Sequence, residues 1–212
     1  MNGMRTSLIR DYGVTIVAAV VVALGIRFFV VEAYRIPSSA MKPTLEPGDT
    51  IFVSKLPFTP SRGDVVVFSM PQEPNRDYIK RVIGLAGDQV SLKKGQVILN
   101  GSNLRADPLS SAPCSTERLP DSFSYSICSE LPLLDDFGPE TVPKDSVFVV
   151  GDFRAQNPLL ERKRPRGWGV VPLERLKGHA LWVWLSIEPH AAGAHGGWFP
   201  QFRFERMFRR IE

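Results

Sequence analysis

Serine and lysine, two residue types that can do chemistry together, occur at distinctive places in this sequence. Ser38 and Ser39 lie in IPSSAMKPTL, soon after the only long apolar run, and Lys80 lies in YIKRVIGL, embedded in a hydrophobic strand pattern. A serine hydroxyl is a weak nucleophile that needs a base within hydrogen-bond reach. A lysine amine serves as that base only when it is neutral, which requires a desolvated pocket. The alternative for Lys80 is an ordinary solvent-facing residue on an amphipathic strand.

The apolar run before these residues predicts a membrane segment. Residues 13–31 are apolar apart from one threonine and one arginine, and as a helix they would extend about 28 Å, close to the thickness of a bilayer core. Two arginines before the run favour a cytoplasmic N-terminus. We therefore predict a cytoplasmic segment (1–12), a transmembrane helix (13–33) and an extracytoplasmic domain (34–212). A cleavable signal peptide and a buried helix are the alternatives.

Beyond the apolar run the pattern is typical of β-strands. Short runs rich in β-branched residues alternate with turn residues, and no helical spacers separate them. Within residues 89–101, Gly95 predicts a hairpin turn and Asn100–Gly101 a second turn. We predict a mainly β fold, an antiparallel sheet or barrel-like domain. The predicted strands are 50–56, 64–70, 78–85, 89–101, 146–152 and 178–186, with a further candidate in FRFERMF near the C-terminus.

Residues 102–143 lose this pattern and are rich in Ser, Pro and Asp, which predicts an insertion or small second lobe. Both cysteines, Cys114 and Cys128, lie in it. In an exported domain they are expected to pair, which would stabilise the fold by roughly 3 kcal/mol in the chain-entropy model; two unpaired thiols are the alternative. The three histidines have no neighbouring Cys or carboxylate pattern of the zinc type, so no metal is expected.

The charge balance says little about partners. The net charge is +4, and the basic residues are scattered except in ERKRPR and FERMFRR. Such clusters can contact nucleic acid or anionic lipid headgroups. No groove-reading helix or stacking motif accompanies them, so nucleic acid is not an expected partner.

Four features taken together resemble a type I signal peptidase: the apolar run, IPSSAMKPTL, YIKRVIGLAGD, and GDFR followed by GWGVVP. The resemblance covers nearly the whole chain in the same order, with RGDVVVF between the first two motifs. Members of that family are membrane-anchored endopeptidases with a Ser/Lys dyad. They cut signal peptides from exported preproteins after small residues at −1 and −3. The resemblance implies a bacterial inner-membrane location with a periplasmic domain, no cofactor, and signal peptides and membrane lipid as partners.

The resemblance also assigns catalytic roles. Lys80 matches the general base, and Ser38 matches the residue whose hydroxyl helps to bind the oxyanion. The family's nucleophile stands directly before the methionine, where this chain has Ala40. If the stretch is extended, Ser39 faces away from residue 40 and Ser38 lies about 6 to 7 Å along the strand, too far to substitute. The chain is therefore expected to be inactive, whether Ala40 is natural or engineered; a non-catalytic, membrane-tethered peptide-binding paralogue is the alternative.

Further residues are implied only by the resemblance. The substrate pocket would contain Tyr34, Ile36, Pro37, Met41, Leu45 and Ile79, for which core packing is the alternative. Arg81, Asp152, Arg154 and Asn157 would support the base, with Asp152 paired to Arg81. Trp184, Trp198 and Phe199 match a surface that rests on the bilayer. The chain departs from the family's Asn-Arg-Asp-Asn-Ser run at residues 153 and 155–157, and residues 159–167 exceed the usual spacer.

Overall fold

The structure, a computed structural model, describes residues 12–22, 25, 30–70, 73–105, 114–130, 136–154, 168–189 and 201–211. Its first segment, residues 12–22, is α-helical and mostly exposed. Within these described ranges no helix is both long and apolar enough to cross a membrane. The predicted span was wrong at its end. Residues 31–33 lie in an edge strand of the largest sheet, where their backbone groups pair with residues 52–54.

The described residues form antiparallel sheets, which confirms the mainly β prediction. The largest sheet has the strand order β1-β2-β13-β3-β4-β11-β12, with β14 also paired to β13; a second has the order β10-β5-β6-β7, and β8 pairs with β9. The strands are β1 (Val31–Arg35), β2 (Asp49–Ser54), β3 (Val65–Met70), β4 (Glu73–Gly84), β5 (Gln89–Lys93), β6 (Gln96–Leu99), β7 (Ser102–Asn103), β8 (Cys114–Arg118), β9 (Ser124–Cys128), β10 (Phe137–Thr141), β11 (Ser146–Val150), β12 (Trp168–Pro172), β13 (Leu176–Ser186) and β14 (Arg209–Arg210).

Two hairpin turns follow the sequence signals. Lys94 and Gly95 have φ of 50° and 72°, and Asn100 and Gly101 have φ of 50° and 82°. Each pair joins strands through a two-residue loop. Positive φ at both central positions is the geometry that twisted antiparallel strands prefer. Both predicted turns are confirmed.

Residues 102–143 contain strands that the sequence did not predict. β7 and β10 are short and largely exposed, so alternation along them is weak, whereas β9 alternates between exposed Ser124 and Ser126 and buried Tyr125 and Ile127. Leu119, Tyr125 and Ile127 nevertheless pack with Ile83 and Phe148 in one buried cluster. This segment therefore shares a core with the largest sheet.

The C-terminal motif FRFERMF was expected to be a strand and is not one. It contains a 3₁₀ turn, Phe204–Arg206, and the two-residue β14 that pairs with β13 comes after it. The turn aims two arginines at a buried aspartate, a long-range contact that local strand propensity does not contain.

Candidate active site

The stretch that holds Ala40 is a loop closed at its base. Ile36 N donates to Asp49 O at 2.8 Å, and Gly48 N donates to Ile36 O at 2.9 Å. Inside the loop, Lys42 N donates to Ser39 O at 3.0 Å and Leu45 N to Met41 O at 2.9 Å. Those bonds form turns, so the stretch is not extended. The alternation argument about Ser38 and Ser39 does not apply, because alternation of faces requires a strand.

The backbone of Ala40 contacts the segment that follows β11. Phe153 N donates to Ala40 O at 3.3 Å. In the same loop, Thr44 Oγ1 donates to Asp152 Oδ2 at 2.5 Å. The loop is therefore fixed to residues 152–153 at two points, one on each side of Met41.

The predicted pair between Arg81 and Asp152 is present. Arg81 donates from Nε to Oδ1 at 2.9 Å and from Nη2 to Oδ2 at 2.7 Å, and both side chains are fully buried. Arg81 Nη2 also donates to Thr44 Oγ1 at 3.1 Å. Bidentate geometry of this kind is the strong form of an Arg–carboxylate contact. It joins β4, the Ala40 loop and the end of β11.

Lys80 is the neighbour of Arg81 on β4 and is buried. Its register partner on β3 is Val66, which packs with Phe68 and Val82, whereas Ile79 packs with the cluster described next. A lysine is seldom buried without a specific reason. Contact between the Lys80 amine and residue 40 stays a prediction.

Five of the six predicted pocket residues come together in one apolar cluster, here called the loop cluster. Ile36, Met41 and Leu45 are buried in it, and Tyr34 and Ile79 pack against it partly buried. The cluster is completed by Ile51, Val53, Val65, Val67, Ala180, Val183 and Ile211. Pro37 is exposed. The sequence motif therefore gathers around the base of the loop on the face of the sheet that carries Ile79.

Tyr34 lies at the edge of the loop cluster among carboxylates. Its burial, and then the charges of Asp77 and Glu32, raise the pKa of the Tyr34 hydroxyl. The phenol therefore stays neutral at any pH at which the protein functions and can donate a hydrogen bond.

A second buried pair supports the first, and the sequence missed it. Arg154 donates from Nη1 to Glu117 Oε1 at 2.9 Å and from Nη2 to Oε2 at 2.5 Å, and to the carbonyls of Gly151 and Gly95. Tyr125 OH also donates to Glu117. Burial, and then the Glu117 charge, raise the pKa of Tyr125. No signal near Glu117 marks it as functional; only the tertiary structure brings it to Arg154.

The β8–β9 hairpin holds Glu117 and Tyr125 beside the Arg81–Asp152 pair. The guanidinium of Arg81 lies 4.4 Å from the centre of the Tyr125 ring, a favourable cation–π contact. Cys128 N donates to Asp152 O at 3.0 Å, and Arg154 N donates to Cys128 O at 2.7 Å. Cys114 and Cys128 are joined in a disulfide at the end of the hairpin.

Other predicted residues lie elsewhere. Trp184 stacks on Phe52 with ring centres 5.3 Å apart and is half-buried on β13, beside Val183, which pairs with Arg209 of the C-terminal segment. Asn157, Trp198, Phe199 and residues 159–167 lie outside the described residues. In the described part of the chain, no group of three His, Cys, Asp or Glu side chains is placed to hold a metal ion.

A mainly β domain with a turn-rich loop over an apolar cluster, fixed by buried Arg–carboxylate pairs, fits a peptidase that binds extended peptide. The chain matches the family model described as signal peptidase, peptidase S26, over residues 9–185. It therefore belongs to that family of serine-type peptidases, whose members remove signal peptides from preproteins.

Individual signal peptidases are similar to this chain over most of its length. The chain is 38% identical over 177 residues to a signal peptidase I of Leptolyngbya laminosa, covering 79% of this chain and 75% of that protein. It is 35% identical over 179 residues to a probable signal peptidase I-2 of Synechocystis sp., covering 81% and 71%. It is 33% identical over 186 residues to signal peptidase I T of Bacillus subtilis, covering 86% and 89%. A crystal structure of a signal peptidase I from Enterococcus faecalis aligns with a TM-score of 0.37 and 21% identity, covering 57% of this chain and 97% of that chain.

Proposed function

We propose that this chain binds the signal-peptide region of exported preproteins at the Ala40 loop but does not cleave it, because residue 40 has no hydroxyl. The observation that carries the proposal is the double attachment of the loop to residues 152–153, beside the strand that holds Lys80. With serine at residue 40, this site would hold both members of a Ser/Lys dyad.

The proposed chemistry assigns one role to each residue. With serine at position 40, Lys80 would act as the general base and take the hydroxyl proton as the oxygen attacks the scissile carbonyl. Ser38 would donate to the oxyanion, since its exposed side chain lies two residues before Ala40 in the loop. Loss of the nucleophile of another serine protease lowers turnover roughly a millionfold, so positioning by the remaining residues would not give a useful peptidase.

The proposed substrate contacts use the loop cluster. An extended peptide adding its backbone alongside the loop would place alternate side chains toward the sheet, which fits selection of residues −1 and −3. Ile79, which packs partly buried against the loop cluster, would offer an apolar surface to small side chains. Pro37 and Met41 would flank the residue at −1.

The test is cleavage of a preprotein with an Ala-x-Ala site by the chain and by its Ala40→Ser variant. We expect binding without cleavage by the chain, and cleavage by Ala40→Ser that Lys80→Met abolishes. Ser39→Ala in the Ala40→Ser background is the control and leaves cleavage intact. Efficient cleavage by the chain itself, removed by Ser39→Ala, would contradict the proposal.

The second candidate is a module that binds peptide and has no catalytic dyad even when residue 40 is serine. It is favoured by the departure from the family's run at Phe153 and residues 155–157. It predicts no cleavage even with Ala40→Ser, and peptide binding that is indifferent to Lys80→Met. The same assay therefore separates the two functions.

A membrane location is part of the proposal. The apolar sequence of residues 13–31 supports an N-terminal anchor with the β domain on the periplasmic side. N-terminal sequencing of the mature protein tests it: a start at Met1 agrees with an anchor, and a start at Tyr34 shows a cleaved signal peptide.

The C-terminal segment supports contact between the β domain and lipid. Phe204 and Phe208 are each 73% exposed, next to the exposed Arg209 and Arg210. Aromatic and basic side chains together suit an anionic headgroup region. We expect the β domain to sediment with phosphatidylglycerol vesicles, and Phe204→Ser/Phe208→Ser to weaken this more than Leu56→Ser, a control at another exposed apolar residue.

A further inference from the structure

The C-terminal segment, residues 201–211, lies beyond the part of the chain matched by the family model, yet it contacts the Ala40 loop. Backbone bonds attach it to β13 and to the residues just after β13: Arg203 N donates to Ser186 O at 3.0 Å, Glu188 N to Gln201 O at 2.9 Å and Ile211 N to Leu181 O at 3.0 Å. The segment is thus anchored to the sheet before its side chains reach the loop.

Two arginines extend from this segment to a fully buried aspartate at the end of the loop. Arg206 donates to Asp49 from Nη2 at 2.7 Å and from Nε at 3.2 Å, and Arg203 donates from Nη2 at 3.1 Å. Asp49 also accepts from Ser186 Oγ at 2.7 Å and Glu46 N at 2.9 Å. Burial alone would raise the pKa of Asp49, but the Arg206 and Glu46 hydrogen bonds hold the pKa below its usual range.

The same arginines satisfy other acceptors of the loop. Arg203 donates to Glu46 Oε2 at 2.9 Å and Pro47 O at 2.8 Å, and Arg206 donates to Thr44 O at 3.2 Å. Carbonyls in such turns have no strand partner, so these donors replace the missing ladder. Every residue from Thr44 to Pro47 except Leu45 is held in this way.

Thr44 links this contact to the candidate active site. Its carbonyl accepts from Arg206, and its hydroxyl contacts both Asp152 and Arg81. Leu45, the next residue, is fully buried in the loop cluster. A shift of the C-terminal arginines would therefore move Leu45 in the loop cluster and, together with it, the contact of Thr44 with the buried Arg81–Asp152 pair.

We propose that Arg203 and Arg206 are positioning residues: they hold the turn at residues 44–49 so that Leu45 and Thr44 keep the Ala40 loop in its peptide-binding conformation. The link to peptide binding rests on the proposed function. The fixing of the turn does not, and it can be measured without substrate.

The first measurement is amide hydrogen exchange at Glu46, Gly48 and Asp49 in the full chain. Arg206→Gln is expected to accelerate it about tenfold or more, because Asp49 loses its strongest partner while the β11 amides of the sheet keep their protection. Arg206→Lys is expected to restore part of the protection. Arg210→Gln, an exposed arginine of the same segment, is the matched control and leaves exchange unchanged.

The second measurement is binding of an Ala-x-Ala signal peptide, with cleavage in the Ala40→Ser background. Arg206→Gln is expected to weaken binding and raise KM about tenfold with a smaller change in kcat, because it displaces the pocket rather than the reacting groups. Unchanged loop exchange in Arg206→Gln, or faster loop exchange with unchanged peptide affinity, overturns the proposal. If Arg206→Gln does not fold, Arg203→Gln and Arg206→Lys are read by the same criteria. If the parent chain binds no peptide, the proposed function is refuted. The hydrogen-exchange rates at residues 46–49 then decide by themselves whether Arg203 and Arg206 fix the turn.

Discussion

Arg81 of β4 and Asp152, just after β11, form a fully buried, bidentate ion pair with N–O distances of 2.9 and 2.7 Å. The pair also holds Thr44 of the Ala40 loop, so the loop, the strand of Lys80 and the segment after β11 meet at one carboxylate. Its energetic weight is the first quantity to test.

Removal of this carboxylate should destabilise the protein strongly. Asp152→Ala leaves the Arg81 guanidinium buried without its counter-charge, and breaking such a pair typically costs about 3–5 kcal/mol in the free energy of unfolding. Asp77→Asn is the control, because its contact with Lys177 is partly exposed and is worth about 1 kcal/mol or less. Urea unfolding measures both. A loss for Asp152→Ala no larger than that for Asp77→Asn would show that the pair does not hold the site together.

Enlargement of the loop cluster should relax peptide selection. Ile79→Ala removes atoms from the surface assigned to small side chains, and each methylene accommodated in an apolar pocket changes affinity by about 1–3 kcal/mol. Peptides with Val at −1 or −3 should gain affinity relative to the Ala-x-Ala peptide, as measured by calorimetry. Val147→Ala, in a different buried cluster, controls for general loosening. Equal relaxation by both variants would refute the assigned pocket.

The disulfide should stabilise the β8–β9 hairpin that supports Asp152 and Arg154. Replacing Cys114 and Cys128 together by alanine removes the cross-link, and a loop of this size is worth roughly 3 kcal/mol in the chain-entropy model. Thermal unfolding of the oxidised protein and the double variant measures the loss. A thiol reductant should lower the thermal unfolding midpoint of the parent and leave that of the double variant unchanged. A parent whose midpoint does not respond to the reductant would contradict the expectation.

Acid stability should depend on Asp88. Burial alone would raise the pKa of its carboxyl, but hydrogen bonds from Asn100, Leu85 N and Arg62 hold the pKa below its ordinary 3.8. Since the folded-state pKa is the lower one, this stabilisation is fully present above pH 3.8 and is lost as the pH falls through the folded-state pKa. Asp88→Asn should therefore be less stable than the parent at pH 7, with a difference that shrinks below pH 3.8.

Asp121→Asn is the control for Asp88, because Asp121 contacts the same Arg62 at 3.5 Å but is exposed. It should change the pH profile of the thermal midpoint little. A constant difference between Asp88→Asn and the parent from pH 7 to pH 2 would exclude ionisation of Asp88 as the cause.

Local features of this protein are determined by the sequence itself. Lys94–Gly95 and Asn100–Gly101 form the expected turns, because positive φ at adjacent residues is a local preference that Gly and Asn supply. β-branched runs likewise predicted β2, β3, β11 and β13 close to their observed bounds. The motifs around Ala40 and Lys80 predicted the family, which the match over residues 9–185 confirms.

The family motifs predicted one distant pair, Arg81 with Asp152, and the tertiary structure alone showed the other distant groups that meet. Glu117 reaches Arg154, Thr44 reaches Asp152, and Arg206 reaches Asp49 across separations that no local pattern encodes. The turn conformation at residues 38–45 was also missed, since it depends on bonds to Phe153 and to the C-terminal arginines. Periodicity reports which face of an element is buried; the partner of a buried charge is fixed only when the sheet closes and water is excluded around it.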